Sequence, residues 1–133
     1  MGFPHRPHPK ETVVLSQYFG DAEARSYKGW VKRGGYQALK KALAMDPAAV
    51  TEEVKASGLR GRGGAGVTTG LPWAFMPKEE KRPPHLRVQA YESEAGTLTA
   101  PRVMRPPPHA RLAGTAIAAA AMPAQVASDY IRG

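Results

Sequence analysis

The feature that most constrains this chain is a glycine-rich run at residues 58–70, which reads GLRGRGGAGVTTG. Six of its thirteen residues are glycine, so the run predicts a loop rather than a regular helix or strand. Glycines also let a bound group approach the backbone amides, as anionic phosphates require. Arg60 and Arg62 add charge-assisted hydrogen-bond donors. The run therefore predicts a phosphate-binding loop or a flexible surface loop, and the residues alone leave both possibilities open.

Part of this run formally matches two nucleotide-binding patterns, but neither match fits its context. Residues 61–66 satisfy G-x-G-x-x-G, yet that fingerprint follows a strand and opens a helix, whereas a predicted helix precedes it here. Gly61 and Gly66 have the spacing of a P-loop, but Val67 stands where lysine is required. The sequence therefore predicts neither an ordinary Rossmann fingerprint nor a P-loop.

Two helices are predicted immediately before the glycine run. The first spans residues 36 to about 45, because apolar residues recur there at helical spacing with two lysines opposite. Those apolar residues are Tyr36, Leu39 and Leu43. The second begins at Asp46-Pro47, which supply an N-cap and a proline suited to the first helical position, and it is predicted to end at Gly58.

The rest of the chain predicts an α/β unit. A strand is expected at Leu86–Tyr91, an alanine-rich helix from about His109 to Met122, and a second strand at Val126–Ile131. A helix between two strands suits a crossover connection, so we expect the strands to pair in parallel. The predicted fold class is α/β, as an α+β fragment.

Two carboxylates follow the first predicted strand, in the segment VQAYESEAGT at residues 88–97. At the end of a parallel strand, Glu92 and Glu94 would point into the crevice where α/β proteins bind ligands. They alternate with Ser93 and would share one face of an extended segment. An exposed acidic turn is the alternative interpretation.

Charge and composition limit the possible functions. Nineteen Lys and Arg against eleven Asp and Glu give a net charge of +8, which attracts phosphates on nucleotides, nucleic acids or membranes without choosing among them. The absence of cysteine excludes iron–sulfur clusters and thiolate metal sites within the chain. No metal site is predicted. The longest apolar run, Leu112–Met122, is too short to span a bilayer. We expect an intracellular, cytoplasmic protein without direct membrane insertion.

Together these segments resemble the 51 kDa-type flavoprotein of NADH:quinone oxidoreductase, respiratory complex I. That family's loop runs GLRGRGGAGFPTGLKW, and its next strand ends in NADESEPGT. The likeness extends upstream to SYKGWVKRGGYQALKKAL and downstream to FMPK at residues 75–78 and PH…G…YIRG at 108–133. It covers most of the chain from about Ser26 to Gly133.

The residues predict a disordered or irregular segment at 1–25 and helices at 26–57. The resemblance implies that residues 58–133 form the first half of a Rossmann-like FMN- and NADH-binding domain, with the glycine-rich loop at 58–70. In that family NADH passes a hydride to FMN. By position, the loop residues expected to face the nucleotide are Gly61, Arg62, Gly63, Gly64, Ala65 and Gly66. The residues expected to line the site beside the flavin and the nicotinamide are Glu92, Ser93 and Glu94.

The sequence departs from the family pattern at positions expected to contact the ligand. Val67 replaces a phenylalanine, and Pro72 replaces a lysine expected to reach the flavin phosphate. Gln89 and Tyr91 stand where the family has asparagine and aspartate. In the family, the second half of the flavin site, a ubiquitin-like domain and a cysteine-rich cluster domain lie beyond the position of Gly133. The resemblance therefore implies a partial FMN and NAD(H) site that does not catalyse alone.

Two alternatives remain beside this interpretation. The chain could be a non-catalytic fragment that docks on other complex I peripheral-arm subunits through its N-terminal helices, peripheral to the inner membrane. It could instead bind nucleic acid through its charge and the Arg–Gly run at residues 60–64, although stacking aromatics are not interleaved with that run.

Overall fold

The structure is a computed structural model that describes residues 8–62, 65–76, 84–91 and 107–131. A 3-10 turn at Glu23–Arg25 precedes helices and strands that we number in chain order. They are α1 (Tyr27–Lys32), α2 (Gln37–Leu43), α3 (Pro47–Ala56), α4 (Gly70–Ala74), β1 (His85–Ala90), α5 (Pro108–Ala121) and β2 (Val126–Ile131). The α/β class is confirmed, and the predicted helices and strands occur with their ends shifted by at most two residues.

Polar side chains organise the segment that precedes α2. Ser26 caps α1 by accepting a hydrogen bond from the amide of Gly29 at 3.1 Å. The guanidinium of Arg33 contacts Asp21 at 2.7 Å and Glu23 at 3.1 Å. The hydrogen bond to Glu23, together with the negative charge of Asp21, raises the pKa of Arg33 above its ordinary value. This segment is therefore held in place by local polar contacts despite its short helices.

Helix α3 begins and ends as its sequence predicts. The Oδ1 atom of Asp46 accepts a hydrogen bond from the amide of Ala48 at 2.8 Å, which satisfies one of the free amides at the helix start. Pro47 occupies the first helical position, where no amide is needed. Gly58 adopts a φ of +66° just beyond the last turn, a conformation that favours glycine and stops the helix.

The core is small and forms where α2, α3 and α5 meet. Its buried members are Ala42, Val50 and Ala121, with Met45, Trp73 and Ile117 packed against them. The predicted apolar face of α2 is partly wrong, because Leu43 is 64% exposed while Ala42 is buried. Ala42 is buried in the same cluster as Ala121 of α5, and two such small side chains let the helices pack closely.

Strands β1 and β2 pair in parallel, as predicted, with Arg87 opposite Ser128 in the register. Helix α5 forms the crossover between them and is joined to β2 by an ion pair between Arg111 and Asp129. On the strands, the guanidinium of Arg87 lies 5.6 Å from the ring centre of Tyr130. Among the described residues, no helix is long and apolar enough to cross a membrane.

An aromatic cluster connects the N-terminal segment to the first turn of α5. The ring of His109 lies within 6.5 Å, centre to centre, of the rings of Tyr27, Trp30 and Tyr36. Trp30 is 8% exposed and also makes an edge contact with Tyr18. This cluster is not predicted from the sequence, because its members lie in segments far apart along the chain.

Candidate functional site

The glycine-rich run forms a loop that is closed at its base by main-chain hydrogen bonds. The amide of Gly61 donates to the carbonyl of Val67 at 2.9 Å, and the amide of Thr69 donates to the carbonyl of Leu59 at 2.7 Å. These two bonds enclose an isolated antiparallel bridge between residues 60 and 68. The chain therefore leaves α3, reverses direction in the loop, and enters helix α4 directly after the hairpin-like base.

The base of the loop has two different faces, because neighbouring residues in an extended pair point in opposite directions. Arg60 and Thr68 share one face. Leu59 and Val67 share the other with Gly61, and their side chains are 56% and 51% exposed. A Cβ atom at Gly61 would meet only the carbonyl oxygen of Val67, at 3.6 Å. The space beside the backbone of Gly61 is therefore open, with two exposed apolar side chains next to it.

The cations of the loop are available to an external anion. Arg60 and Arg62 are exposed, and neither guanidinium forms an ion pair with any residue that the structure describes. By contrast, Lys55 at the end of α3 is paired with Glu52 at 2.6 Å. Two such guanidiniums in one loop suit a phosphate, because charged hydrogen bonds to phosphate oxygens are among the stronger ones in proteins.

The glycines of the loop serve different purposes. Gly66 has a φ of +64°, so the turn needs a residue that tolerates the left-handed region. Gly70 is buried at the start of α4, where a Cβ atom would lie 2.7 Å from the backbone nitrogen of Lys55. Gly61 has neither constraint, since its space is open. Gly61 and Gly66 therefore both leave open space beside the backbone, whereas Gly70 is packed against α3.

Helix α4 is not among the elements predicted from the sequence, where Gly70 is assigned as the last residue of the loop. Gly70 is in fact the first residue of a five-residue helix. Pro72 is the third residue of this helix, where an amide would have no partner within the helix, so proline is tolerated there. The short helix returns the chain to the surface of α3 directly after the loop.

The structure describes part of the predicted site. The predicted residues that it brings together in one loop are Gly61, Arg62, Ala65 and Gly66. The predicted residues that lie outside the described ones are Gly63, Gly64, Glu92, Ser93 and Glu94. At the carboxyl end of β1, the ring of Tyr91 lies 5.8 Å from that of Tyr130 on β2. Tyr91 thus packs along the sheet at the position where the family has aspartate.

A cavity of about 590 Å³ lies apart from the glycine-rich loop, between α3, α4 and the end of α5. Thr51 and Lys55 line it from α3, Trp73 from α4, and Met122 from the end of α5. Residues 58–70 do not contribute to its wall. Within the described ranges, His, Asp and Glu do not form a group of three that could hold a metal ion. The loop and this cavity are therefore separate features.

Comparison with known proteins assigns the loop to a family. Residues 54–133 match the model of the Nuo51 FMN-binding domain. An F subunit of the NADH-quinone oxidoreductase of Rhizobium meliloti is 48% identical over 124 residues, which cover 92% of this chain and 28% of the relative. The F subunit of Rhodobacter capsulatus is 48% identical over 110 residues, covering 82% and 26%. That of Mycobacterium tuberculosis is 43% identical over 129 residues, covering 92% and 29%.

The chain thus spans a little more than a quarter of the length of the curated relatives that it matches. The family match begins in the last turn of α3 and contains the glycine-rich loop, α4, the sheet and α5. These findings favour the flavoprotein interpretation over the nucleic-acid-binding chain and the non-catalytic docking fragment. The chain belongs to the Nuo51 FMN-binding domain family, that of the 51 kDa-type flavoprotein of NADH-quinone oxidoreductase.

Proposed function

We propose that this chain supplies the glycine-rich half of the FMN- and NADH-binding site of an NADH dehydrogenase flavoprotein. The observation that carries the proposal is the closed base of the loop, in which Arg60 and Arg62 flank Gly61 and the space beside Gly61 is open. Their guanidiniums are exposed and unpaired within the described part of the chain. The position of the loop inside the segment matched by the FMN-binding family supports the same assignment.

The residues of the loop fit the phosphate end of FMN. A phosphate carries close to two negative charges, and Arg60 and Arg62 can offset them with charged hydrogen bonds. The open space above Gly61 admits a group to the backbone, and the exposed side chains of Leu59 and Val67 offer apolar contacts to a ring. In a complete site, bound FMN would supply the hydride acceptor for NADH. The loop residues themselves bind and orient the nucleotide.

The remaining predicted residues complete the proposed site. By their place in the sequence of the loop, Gly63 and Gly64 are proposed to face the nucleotide. Glu92, Ser93 and Glu94 follow β1, and their side chains would position the flavin and the nicotinamide. The proposed domain begins at residue 58, just after α3, in accord with a family match that starts at residue 54. Helices at residues 26–57 precede it.

We also propose that the chain works with other polypeptides of the peripheral arm of complex I, on the cytoplasmic side of the membrane. Its relatives are named as one subunit of NADH-quinone oxidoreductase, which supports this assembly. The chain has no cysteine and so holds no iron–sulfur cluster of its own. Electron transfer beyond the flavin would therefore depend on residues outside this segment, and we expect no NADH oxidation by this segment alone.

A titration of the purified protein with FMN tests the proposal, with binding followed by quenching of flavin fluorescence. Riboflavin is the matched control, because it carries the same ring system without the phosphate. We expect saturable FMN binding and much weaker riboflavin binding, since Arg60 and Arg62 act on the phosphate. NADH is then added under anaerobic conditions to test whether the bound flavin is reduced. Equal affinities for the two flavins, or no binding of FMN at high micromolar concentration, would contradict the proposed role of the loop.

A further inference from the structure

Gly70 makes an unusually close contact with the backbone of α3. A Cβ atom at this position would lie 2.7 Å from the backbone nitrogen of Lys55, 3.0 Å from its Cα and 2.7 Å from its Cγ. Two of these three atoms belong to the backbone of a helix, so they cannot move aside as a flexible side chain can. Only glycine allows α4 to begin at this distance from α3.

This contact lies next to the hydrogen bonds that close the loop. Thr69 precedes Gly70, and its amide donates to the carbonyl of Leu59 at 2.7 Å. The hydrogen bond from the amide of Gly61 to the carbonyl of Val67 is the next one along the loop. A displacement of α4 away from α3 would therefore also displace residues 67–69, which lead from the loop into α4. The position of Gly70 sets the geometry in which Gly61 and its neighbouring arginines are presented.

We propose that Gly70 is a positioning residue for the nucleotide site, which holds the base of the loop closed so that Arg60 and Arg62, which flank Gly61, are presented to the FMN phosphate in one fixed geometry. This proposal rests on the proposed function. Gly70 acts through the loop and does not itself contact the ligand, because it is buried against α3. It differs in this respect from Gly66, whose conformation shapes the tip of the loop.

The test compares Gly70→Ala with Gly114→Ala. Gly114 lies within α5, and a Cβ atom there meets no other atom within 4 Å. Three quantities are measured for each variant: the FMN dissociation constant, the phosphorus NMR shift of bound FMN, and the hydrogen exchange of the amides of Gly61 and Thr69. The phosphorus shift describes the bound state, so a general loss of stability would not change it.

We expect Gly70→Ala to weaken FMN binding by about tenfold or more, as a misplaced binding group does. The phosphorus shift of the bound FMN should move, and the amides of Gly61 and Thr69 should exchange faster than in the unmodified chain. Gly114→Ala should change none of these quantities. A folded Gly70→Ala protein with unchanged affinity and unchanged amide protection would overturn the proposal.

A second variant covers the case in which Gly70→Ala does not fold. Thr69→Pro removes the amide that donates to Leu59, while the φ of −61° at Thr69 is one that proline accepts. We expect it to weaken FMN binding and to expose the amide of Gly61 to exchange. Retained affinity with a protected Gly61 amide would show that the closed base is not needed. If the unmodified chain binds no FMN, the proposed function fails. Amide exchange then tests Gly70 separately. Faster exchange in Gly70→Ala supports its role in closing the loop, and unchanged exchange contradicts that role.

Discussion

The hydroxyl group of Tyr36 lies 2.7 Å from Nδ1 of His109, although 73 positions separate the two residues. The other ring nitrogen, Nε2, lies 3.2 Å from the carbonyl oxygen of Arg25. Because a carbonyl oxygen only accepts, Nε2 of a neutral ring donates to it, and Nδ1 accepts from the tyrosine hydroxyl. Tyr36 has a φ of +65°, which is uncommon for a bulky residue. This contact therefore connects the start of α2 to the start of α5.

Replacement of Tyr36 by phenylalanine should destabilise the fold by about 0.5–1.5 kcal/mol, because the partly buried Nδ1 atom of His109 loses its donor. The measurement is urea unfolding followed by tryptophan fluorescence, since Trp30 packs near His109. Tyr27→Phe is the control, as its ring is 65% exposed. We expect that control to change the free energy of unfolding by less than about 0.5 kcal/mol. Equal effects of the two substitutions would contradict the hydrogen bond.

Asp46→Ala should shorten or fray α3, because the amide of Ala48 loses its acceptor. The expected loss is about 1 kcal/mol in the free energy of unfolding, measured by urea titration and circular dichroism. Asp46→Asn keeps an oxygen acceptor at the same position and should cost clearly less. If the alanine and asparagine variants lost the same stability, the capping role of Asp46 would be wrong.

Arg62→Gln should weaken FMN binding by roughly ten- to a hundredfold, since a charged hydrogen bond contributes about 1.5–3 kcal/mol. Arg60→Gln should have an effect of the same kind. Lys40→Gln on α2 makes the same change in net charge at an exposed site away from the loop. Fluorescence titrations at two salt concentrations measure all three variants. A loss for Lys40→Gln equal to that for Arg62→Gln would indicate general electrostatic attraction rather than a phosphate contact.

Pro72→Lys should tighten FMN binding by about tenfold, because it restores a cation at the position where the family has lysine. Pro72 is exposed in the first turn of α4, so a long side chain can be accommodated there. Ala74→Lys adds the same charge two positions along the helix, about 200° around its axis. It should leave the affinity nearly unchanged. The affinities are compared by fluorescence titration. An equal gain in affinity for both variants would mean that FMN binding does not depend on where along α4 the lysine is placed.

The bounds of the longer elements could be predicted because the signals that start and stop them are local. The aspartate and proline at the start of α3 and the glycine beyond its end act on the backbone next to them. Strand β2 was predicted at the residues where it occurs. Gly61, Arg62, Ala65 and Gly66 lie in one loop because they are near neighbours in the sequence, and their role in binding remains a prediction. The role of Glu92, Ser93 and Glu94 remains a prediction.

The fold class, the family and the capped helix that leads into a glycine-rich loop could all be inferred before any coordinates, since each depends on residues close together in the chain. Tertiary packing, by contrast, decides which side of α2 is buried, where α4 begins, and how the loop is closed. Leu43 is exposed and Ala42 is buried because α5 is the packing partner, and helical spacing does not identify that partner. Gly70 must be glycine because Lys55 lies against it, a contact that exists only once the chain has folded back on itself.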